Sequence, residues 1–346
     1  MQLTYRYRVK DKHAARLDAQ ARAVNFVWNY CNETQRAALR NNLKWPSGPD
    51  LMRLTAGATK CGLDLHAHTV QEICRNYERS RRQHRKAWLR WRGRKSLGWV
   101  PFNTGHVAFD DGAFIFRSER YEVWYHRPLP EGAKIGRGSF SADARGRWYL
   151  NVPVEVESRD KATEGDVGID LGLKTLATCS NGEVIAMPAY ARRMAERIGN
   201  AQRARKKRLA RTRHARVKNQ RRDYLHKASE KIAKRHWLIV VGDASPSKLA
   251  RTRMAKSVLD AGWSDFRSML AYKAVRHGGA MLEVPEANTT LTCSACAARG
   301  GPKGIAGLEI RGWTCGSCGA VHDRDVNAAQ NILALGRESL AGGSHV

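Results

Sequence analysis

Hydrophobic and polar positions along the first half of the chain predict a strand, then helices, then further strands. Residues 1–9 alternate hydrophobic and polar side chains, as a half-buried strand does. From residue 11 to about 97 the hydrophobic residues recur at helical spacing, and we predict the last helix of this region over about residues 69–95. Residues 99–156 return to short alternating runs separated by Gly, Asp and Pro, which predict a small β-barrel or sandwich. The first strand is expected to complete that barrel, so the helical region is an insertion into it.

The second half of the chain begins with an acidic residue inside a hydrophobic strand. Residues 166–178 form such a strand, with Asp170 at its centre, and lead into a second alternating strand. A carboxylate flanked by Ile and Leu in a buried strand is costly unless it is paired or holds a cation, so Asp170 is a candidate site residue. The alternative is an Asp that only caps a turn at a strand end.

The order of the remaining elements predicts the type of sheet. After a helical region come a hydrophobic strand at residues 237–243, an amphipathic helix, a short strand at residues 280–284 and a helix that begins at Asp325. This order is expected of a ribonuclease H type sheet, in which a few carboxylates converge at the sheet edge and bind two divalent metal ions, usually Mg²⁺. Such a site cleaves phosphodiesters without a nucleophilic side chain.

The charge of the chain predicts a polyanionic partner. There are 61 Lys and Arg against 32 Asp and Glu, a formal net charge of +29. Residues 190–235 contain 18 Lys and Arg against three acids, and residues 75–96 contain ten against one. In the second stretch Trp88 and Trp91 lie between the cations, a pattern that suits phosphates with bases stacked beside them. The alternative is a solvated basic face with the tryptophans turned into the core.

Four of the eight cysteines form two Cys-x-x-Cys pairs. Cys293, Cys296, Cys315 and Cys318 have the spacing C-x₂-C-x₁₈-C-x₂-C, which suits four thiolates around one zinc ion. Two disulfides or free core thiols are the alternative. A Cys₄ zinc site has no open position for chemistry, so its role is structural. The scattered placement of the other four cysteines fits a reducing compartment.

Neither a membrane span nor a signal peptide is predicted. The chain has no run of 18 or more apolar residues, and its first residues lack a signal-peptide core. We therefore expect a cytoplasmic, nucleoid-associated prokaryotic protein with no membrane partner.

Several motifs together closely resemble the TnpB (OrfB) proteins of insertion sequences, which are relatives of the type V CRISPR effector nucleases. These motifs are GIDLGLKT, WLIVV, the pair TCSACAARGG and TCGSCG, and HDRDVNAAQNIL, and the resemblance covers nearly the whole chain. It implies an RNA-guided DNA endonuclease whose guide RNA derives from the transposon end and whose target is double-stranded DNA. In such nucleases the protein reads a short motif beside the target and base pairing reads the rest.

The resemblance also implies a multidomain α/β fold. Residues 1–10 are expected to form the first strand of a wedge β-barrel, residues 11–97 a helical recognition domain, and residues 98–160 the rest of the barrel. Residues 161–346 are expected to form an RNase H-like (RuvC) nuclease domain, with a Cys₄ zinc ribbon inserted at residues 290–320. The implied cofactors are one structural Zn²⁺ and two catalytic Mg²⁺.

Carried over by resemblance, Asp170 matches the first catalytic acid of the family and Asp325 the last. The family usually ends its second acid strand with a Glu, but this chain has Gly242 there, which cannot bind a metal ion. We predict that Glu286, just beyond the third strand, replaces it, because a long side chain could reach the site if that strand borders the second. Asp243 and Glu283 are alternatives, and so is loss of the middle acid. Asp243 is expected to face away unless its strand has already ended.

Three functions therefore remain open. The first is a metal-dependent, RNA-guided DNA endonuclease of a mobile element. The second is a nuclease-inactive RNA-guided DNA-binding repressor. The third is a transposase that acts directly on DNA ends, which is weaker because the family's strand transfer is ascribed to a separate partner protein.

Overall fold

The fold is described from a computed structural model of the chain. It describes residues 1–157, 165–243, 258, 260–303, 307 and 309–342. The chain divides into two compact units, residues 1–156 and residues 157–346. Among the described helices, none is long and apolar enough to cross a membrane.

The first unit is built on a seven-stranded antiparallel sheet. Its strand order is β2-β6-β7-β1-β5-β4-β3, so the first strand of the chain lies at the centre. The alternation predicted for this strand is confirmed, because Leu3, Tyr5, Tyr7 and Val9 are buried and face the core. The strands are β1 (Gln2–Val9), β2 (Trp99–Phe102), β3 (Val107–Asp110), β4 (Ala113–Phe116), β5 (Glu119–Trp124), β6 (Gly138–Ala142) and β7 (Trp148–Glu155).

Three helices lie between β1 and β2 in the chain: α1 (Ala14–Arg40), α2 (Gly48–Leu54) and α3 (Ala67–Gln83). Helix α2 begins with a capping box made by Ser47 and Asp50. Helix α1 packs against α3 and β2 through a buried face that includes Val24, Val27 and Trp28.

The prediction of a last helix over residues 69–95 is wrong beyond Gln83. Arg85 takes a positive φ of 50°, and the following segment docks on α1 in a non-helical conformation. The Asn32 side chain donates to Leu89 O and accepts from Leu89 N, both at 2.9 Å. Asn29 does the same for Arg92, at 2.7 and 2.8 Å. These side chains satisfy the backbone groups that a longer helix would have paired, and so offset the lost helical hydrogen bonds.

The second unit contains a five-stranded sheet with the order β10-β9-β8-β11-β12. The pairs β8–β11 and β11–β12 are parallel, and β9 and β10 extend the sheet in antiparallel fashion. Its strands are β8 (Asp166–Leu171), β9 (Thr175–Cys179), β10 (Val184–Ala186), β11 (Leu238–Gly242) and β12 (Ala280–Val284). Both faces of the three parallel strands are covered by helices, as is usual for parallel sheets.

Helices α4 (Tyr190–Arg203), α5 (Lys207–Arg235) and α6 (Trp263–Arg276) precede and follow β11 in the chain. On one sheet face, Ile169 and Val241 pack with Leu225 of α5 and Phe266 of α6. The residues of α5 that reach this core come from its second half. Its first half carries much of the basic charge.

Helix α7 (Arg324–Ala341) covers the opposite face of the sheet. Its Ile332 and Leu333 pack with Val240 and Val284. A Cβ built on Gly168 would lie 2.0 Å from the Ala329 carbonyl oxygen, so β8 accommodates the helix only because residue 168 has no side chain.

Between β12 and α7 lies a segment with two short antiparallel strands, β13 (Gly312–Thr314) and β14 (Val321–Asp323). It contains the two Cys-x-x-Cys pairs. Ala297 and Gly319, each one residue past a pair, have positive φ values of 62° and 73°. This left-handed conformation turns the chain back after each pair.

Candidate functional site

Asp170 lies at the carboxyl end of β8, on the sheet face that α7 covers. The register pairs Ile169 with Val241, so Asp170 and Gly242 are neighbours at the ends of two parallel strands. Gly242 is paired in turn with Val284 of β12. Adjacent strands lie about 4.8 Å apart, so a side chain from any of the three ends can reach the same space.

Asp325 reaches this space from the first turn of α7. The helix runs antiparallel to the strands, because Gly336 meets Val240 whereas Ile332, one turn earlier, meets Gly242. Asp325 precedes Ala329, which packs on Gly168, by four residues, or about 6 Å along the helix. Asp170 follows Gly168 by two residues, or about 6.6 Å along the strand. Asp170 and Asp325 therefore lie at similar distances beyond the Gly168–Ala329 contact, toward the carboxyl end of β8.

The helix start fixes the orientation of Asp325. Asp323 is the N-cap, and its side chain accepts hydrogen bonds from the backbone N–H groups of Asp325 and Val326, both at 2.9 Å. The Asp325 carboxylate is paired with Arg311 and with Arg324, whose Nη2 lies 2.9 Å from Oδ1.

Glu286 occupies the space that the missing side chain of Gly242 leaves. A Cβ built on Gly242 would lie 3.1 Å from Glu286 Oε2 and 3.3 Å from Glu286 Cβ. The Glu286 side chain thus lies against the α-carbon of Gly242, where a side chain on β11 would begin. The condition for this reach, that the third strand borders the second, is met by the parallel β11–β12 pairing.

Asp243 and Glu283 have other positions. Strand β11 ends at Gly242, and the exposed Asp243 accepts a hydrogen bond from the Glu286 N–H at 3.2 Å, so it helps to hold the turn that carries Glu286. Glu283 pairs with Val241, one residue out of phase with Gly242 and Val284, and therefore points to the other sheet face. There it forms an ion pair with Arg267 at 3.1 Å.

In the cluster of Asp170, Glu286 and Asp325, burial and the other two acids raise the pKa of Asp170. Burial, and then the charges of Asp325 and Glu286, raise the pKa of Asp170 to about 7. Arg324 acts in the opposite direction. Burial, followed by the charge of Asp243, also raises the pKa of Glu286. Half-buried carboxylates with acidic neighbours are arranged to bind a proton or a cation, and such pKa shifts are typical of functional sites.

A hydrogen-bonded network connects the loop of Glu286 to α7. Thr289 Oγ1 donates to Glu286 O at 2.8 Å. The buried Asn327 donates to the Thr289 and Thr292 carbonyl oxygens at 3.2 and 2.8 Å, and Asn331 donates to the same two oxygens at 2.8 and 2.7 Å. Because Asn327 lies only two residues after Asp325, the network fixes two of the three acids relative to each other.

The four cysteines of the two pairs come together. Cys293 Sγ lies 3.8 Å from Cys318 Sγ, and Cys296 Sγ lies 3.7 Å from Cys315 Sγ; one ligand atom of each lies within 4.8 Å of the others. All four are free thiols. Four sulfurs bound tetrahedrally at about 2.3 Å would be about 3.8 Å apart, so the cluster could hold one metal ion.

The basic segment after α3 exposes aromatic rings. Trp88 and Trp91 are 51% and 48% exposed, and the Arg36 guanidinium lies 5.8 Å from the centre of each ring. This finding excludes the alternative in which both tryptophans are turned into the core.

Several residues of the site carry little sequence signal. Asn327 and Asn331 differ from ordinary helix residues only by their i, i+4 spacing, and Arg311 is one of many arginines. The capping pattern before the final helix could have identified Asp323. His322 Nε2 lies 3.1 Å from Cys293 Sγ, a contact that depends on the β13–β14 pairing.

The chain matches two protein families. Residues 150–253 match the family described as "Probable transposase", and residues 263–332 match the family described as "Cas12f1-like, TNB domain".

Two relatives cover much of the chain. The first, from Streptomyces pristinaespiralis, is named "Putative RNA-guided DNA endonuclease" and is 36% identical over 282 residues, which cover 76% of this chain and 69% of the relative. The second, from Escherichia coli (strain K12), is named "Putative RNA-guided DNA endonuclease InsQ" and is 31% identical over 231 residues, which cover 58% of this chain and 57% of the relative.

A solved structure is also similar. It is titled "Cryo-EM structure of the Cas12f1-sgRNA-target DNA complex" and matches with a TM-score of 0.60 and 12% identity, over 93% of this chain and 82% of that one. At this identity the similarity is one of fold.

Proposed function

Because the chain belongs to the TnpB (OrfB) family of insertion-sequence proteins, we propose that it is a metal-dependent, RNA-guided DNA endonuclease of a mobile element. Its partners are a guide RNA and a double-stranded target DNA. The observation that carries the proposal is the grouping of Asp170, Glu286 and Asp325 at the carboxyl end of the parallel strands. Retention of all three acids favours a nuclease over a protein that only binds its target.

The acid cluster fits divalent cations. Asp170 is half-buried beside two other acids, and its raised pKa marks a carboxylate whose burial and acidic neighbours outweigh the charge of Arg324. Carboxylate oxygens are the ligands that Mg²⁺ prefers, so Asp170, Glu286 and Asp325 would hold two Mg²⁺ in a RuvC-type site. When bound, the ions would activate water and stabilise the leaving oxygen of an in-line phosphodiester cleavage.

The residues of the chain prepare this site in three ways. Burial keeps a proton on Asp170 near neutral pH in the absence of a cation, so cation binding releases that proton. Arg311 and Arg324 share the Asp325 carboxylate and place positive charge where a phosphate would approach. The Asp243 contact and the Thr289–Asn327 network hold Glu286 in position above Gly242.

We assign the cysteine cluster to one structural Zn²⁺ in a ribbon at residues 290–320. Its sulfur separations of 3.7 and 3.8 Å support tetrahedral zinc. Two hydrogen bonds connect the first cysteine pair to α7: Ser294 N donates to Asn327 Oδ1 at 2.9 Å and Ser294 Oγ donates to Gln330 Oε1 at 2.7 Å. The zinc site thereby supports the helix that carries Asp325.

We propose that residues 11–97 form the recognition domain, and that residues 1–10 and 98–160 form the wedge barrel. Residues 161–346 form the RuvC-like nuclease domain. The exposed Trp88 and Trp91 with Arg36 between them suit base stacking beside a phosphate chain.

Cleavage of a matched duplex tests the proposal. The protein is purified with its co-expressed RNA, and Mg²⁺-dependent cutting of a labelled DNA duplex complementary to the guide is measured. We expect Asp170→Ala and Glu286→Gln each to lower the cleavage rate by at least roughly 100-fold, because each removes a group that stabilises developing charge. Glu283→Gln, which changes an acid on the opposite face of the sheet, is the matched control and keeps the parent rate.

Two outcomes would contradict parts of the proposal. If Glu286→Gln cuts as fast as the parent while Asp170→Ala does not, Glu286 is not the third acid. If the parent complex binds the matched duplex but leaves it intact with Mg²⁺ and with Mn²⁺, the protein is a guided DNA-binding repressor and not a nuclease.

A further inference from the structure

Three histidines converge in the first unit, away from the acid and cysteine clusters. His66 is the N-cap of α3, His68 lies in its first turn, and His106 immediately precedes β3. The ring centroids of His68 and His106 are 4.2 Å apart, and that of His66 is 5.1 and 5.2 Å from these two. One nitrogen from each ring lies within 4.8 Å of the others.

The nitrogens of these rings are available for a ligand. His66 Nδ1 accepts a hydrogen bond from the His68 N–H at 3.3 Å, so Nε2 is the nitrogen of His66 that is left for a ligand. His68 Nδ1 is buried and has no hydrogen-bond partner in the described part of the chain. A buried polar atom without a partner destabilises the folded protein, and bonding to a metal ion removes that cost.

The surrounding charge permits a cation. Arg117 is the nearby positive group, and Asp64 partly neutralises it through an ion pair of 3.2 Å. The three rings, whose neutral form is the one that binds metals, thus lie together beside a guanidinium whose charge is already paired.

We propose that His66, His68 and His106 bind one transition-metal ion of the zinc class, which clamps the start of α3 to the β2–β3 turn. Three imidazoles are a common ligand set for Zn²⁺ and leave one position for water or another ligand. Bonds of about 2.0–2.1 Å put tetrahedral ligand nitrogens roughly 3.3 Å apart, so the rings need to close by at most about 1.5 Å. Imidazole ligands do not suit Mg²⁺, so the ion of the nuclease site does not compete.

The clamp joins two parts of the first unit that are distant in the sequence. Helix α3 belongs to the insertion between β1 and β2, and His106 lies in the turn between two strands of the sheet. Helix α3 also carries Tyr77, whose hydroxyl group donates to Asn32 Oδ1, and Asn32 in turn anchors Leu89 of the basic segment. A metal ion at the start of α3 would stabilise the helix that supports this segment.

Metal content tests the proposal in the full-length protein with its RNA. After incubation with Zn²⁺ in excess Mg²⁺ and removal of free ions, elemental analysis is expected to give two zinc equivalents per chain. His106→Ala is expected to give one. Loss of a mere supporting contact to a metal ligand lowers affinity 10–100-fold, so loss of a ligand should lower it by more than roughly 100-fold. His84→Ala, at the other end of α3, is the matched control and keeps two equivalents.

Cobalt spectra and hydrogen exchange locate the ion. Co²⁺ at the cysteine cluster gives thiolate charge-transfer bands, whereas Co²⁺ at a three-histidine site adds only ligand-field bands, and we expect His106→Ala to remove only the latter. Zinc should also slow amide exchange in residues 66–70 and 103–107 of the parent but not of the variant. A parent protein with a single zinc equivalent, or a His106→Ala protein that keeps two, would overturn the proposal, as would a second equivalent that leaves exchange at both segments unchanged.

Discussion

Replacing Asp170 by Asn should stabilise the Mg²⁺-free protein at neutral pH. The folded protein raises the pKa of this carboxyl group from 3.8 to about 7, so the folded state holds the proton more tightly than the unfolded state does. Stability therefore falls as the pH rises from about 4 to about 7, and the cost is fully present above that range. A shift of about three units at about 1.36 kcal/mol each sets an upper bound of roughly 4 kcal/mol.

We expect Asp170→Asn to raise the free energy of unfolding at pH 7.5 by about 2–4 kcal/mol, since Asn requires no ionisation. For a unit of this size that gain corresponds to roughly 4–16 °C in melting temperature. At pH 4.5 the parent residue is protonated when folded, and the gain should largely disappear. Saturating Mg²⁺ should stabilise the parent but not the variant, because the variant lacks a ligand.

Scanning calorimetry of both proteins, dialysed free of Mg²⁺ but retaining zinc, measures these differences. Asp166→Asn is the matched control. Asp166 lies on the same strand but is paired with Arg337 at 2.6 Å, which holds its pKa below the usual range. That variant should lose a little stability at pH 7.5 or leave it unchanged. An Asp170→Asn protein that is less stable than the parent at pH 7.5, or whose gain in stability is the same at both pH values, would refute this prediction.

Three further predictions follow from the contacts of the site. Gly242→Glu alone should impair cleavage, because its Cβ would lie 3.1 Å from Glu286 Oε2. Gly242→Glu combined with Glu286→Ala should return cleavage to within about tenfold of the parent rate. Comparing the cleavage rates of the single and double variants tests this prediction. Asn327→Ala should cost about 1–3 kcal/mol of stability, because it leaves the Ser294 N–H without its acceptor, whereas Asn331 still pairs the Thr289 and Thr292 carbonyl oxygens. The variant should also cleave more slowly while its zinc content stays constant, as calorimetry, cleavage rates and elemental analysis can check. Trp88→Ala and Trp91→Ala should each weaken RNA binding by about 1–3 kcal/mol in a filter-binding assay and leave the melting temperature nearly unchanged, and unchanged RNA affinity would count against the stacking role.

Local patterns predicted the strands well, because strand burial leaves a period of two in the sequence. The alternation in residues 1–9 corresponds to the buried face of β1, and the hydrophobic run around Asp170 corresponds to a strand between two helical layers. The end of α3 was mispredicted because two asparagines on another helix bind the backbone of the following segment. Such long-range pairing leaves no period in the segment itself.

In the acid cluster, too, some residues could be predicted from local motifs and others only from long-range contacts. Asp170 and Asp325 could be picked from motifs, but the position of Glu286 depends on the β11–β12 register and on the empty space above Gly242. A sequence can show that Gly242 lacks a carboxylate. Only the packing of strands shows that the Glu286 carboxylate lies where a side chain of residue 242 would begin.

The relation between the cysteine cluster and the acids follows from the same contacts. The Thr289 hydroxyl group binds the Glu286 carbonyl oxygen and so holds the loop that carries Glu286. The Thr289 carbonyl oxygen in turn accepts hydrogen bonds from Asn327 and Asn331 of α7. Ser294, between the first two cysteines, binds Asn327 directly. A zinc ion that holds the cysteine pairs would thus limit the movement of the loop before them and the helix after them, and both carry an acid. On this reasoning, loss of zinc should lower cleavage by displacing Glu286 relative to Asp325, although no cysteine touches the reacting phosphate.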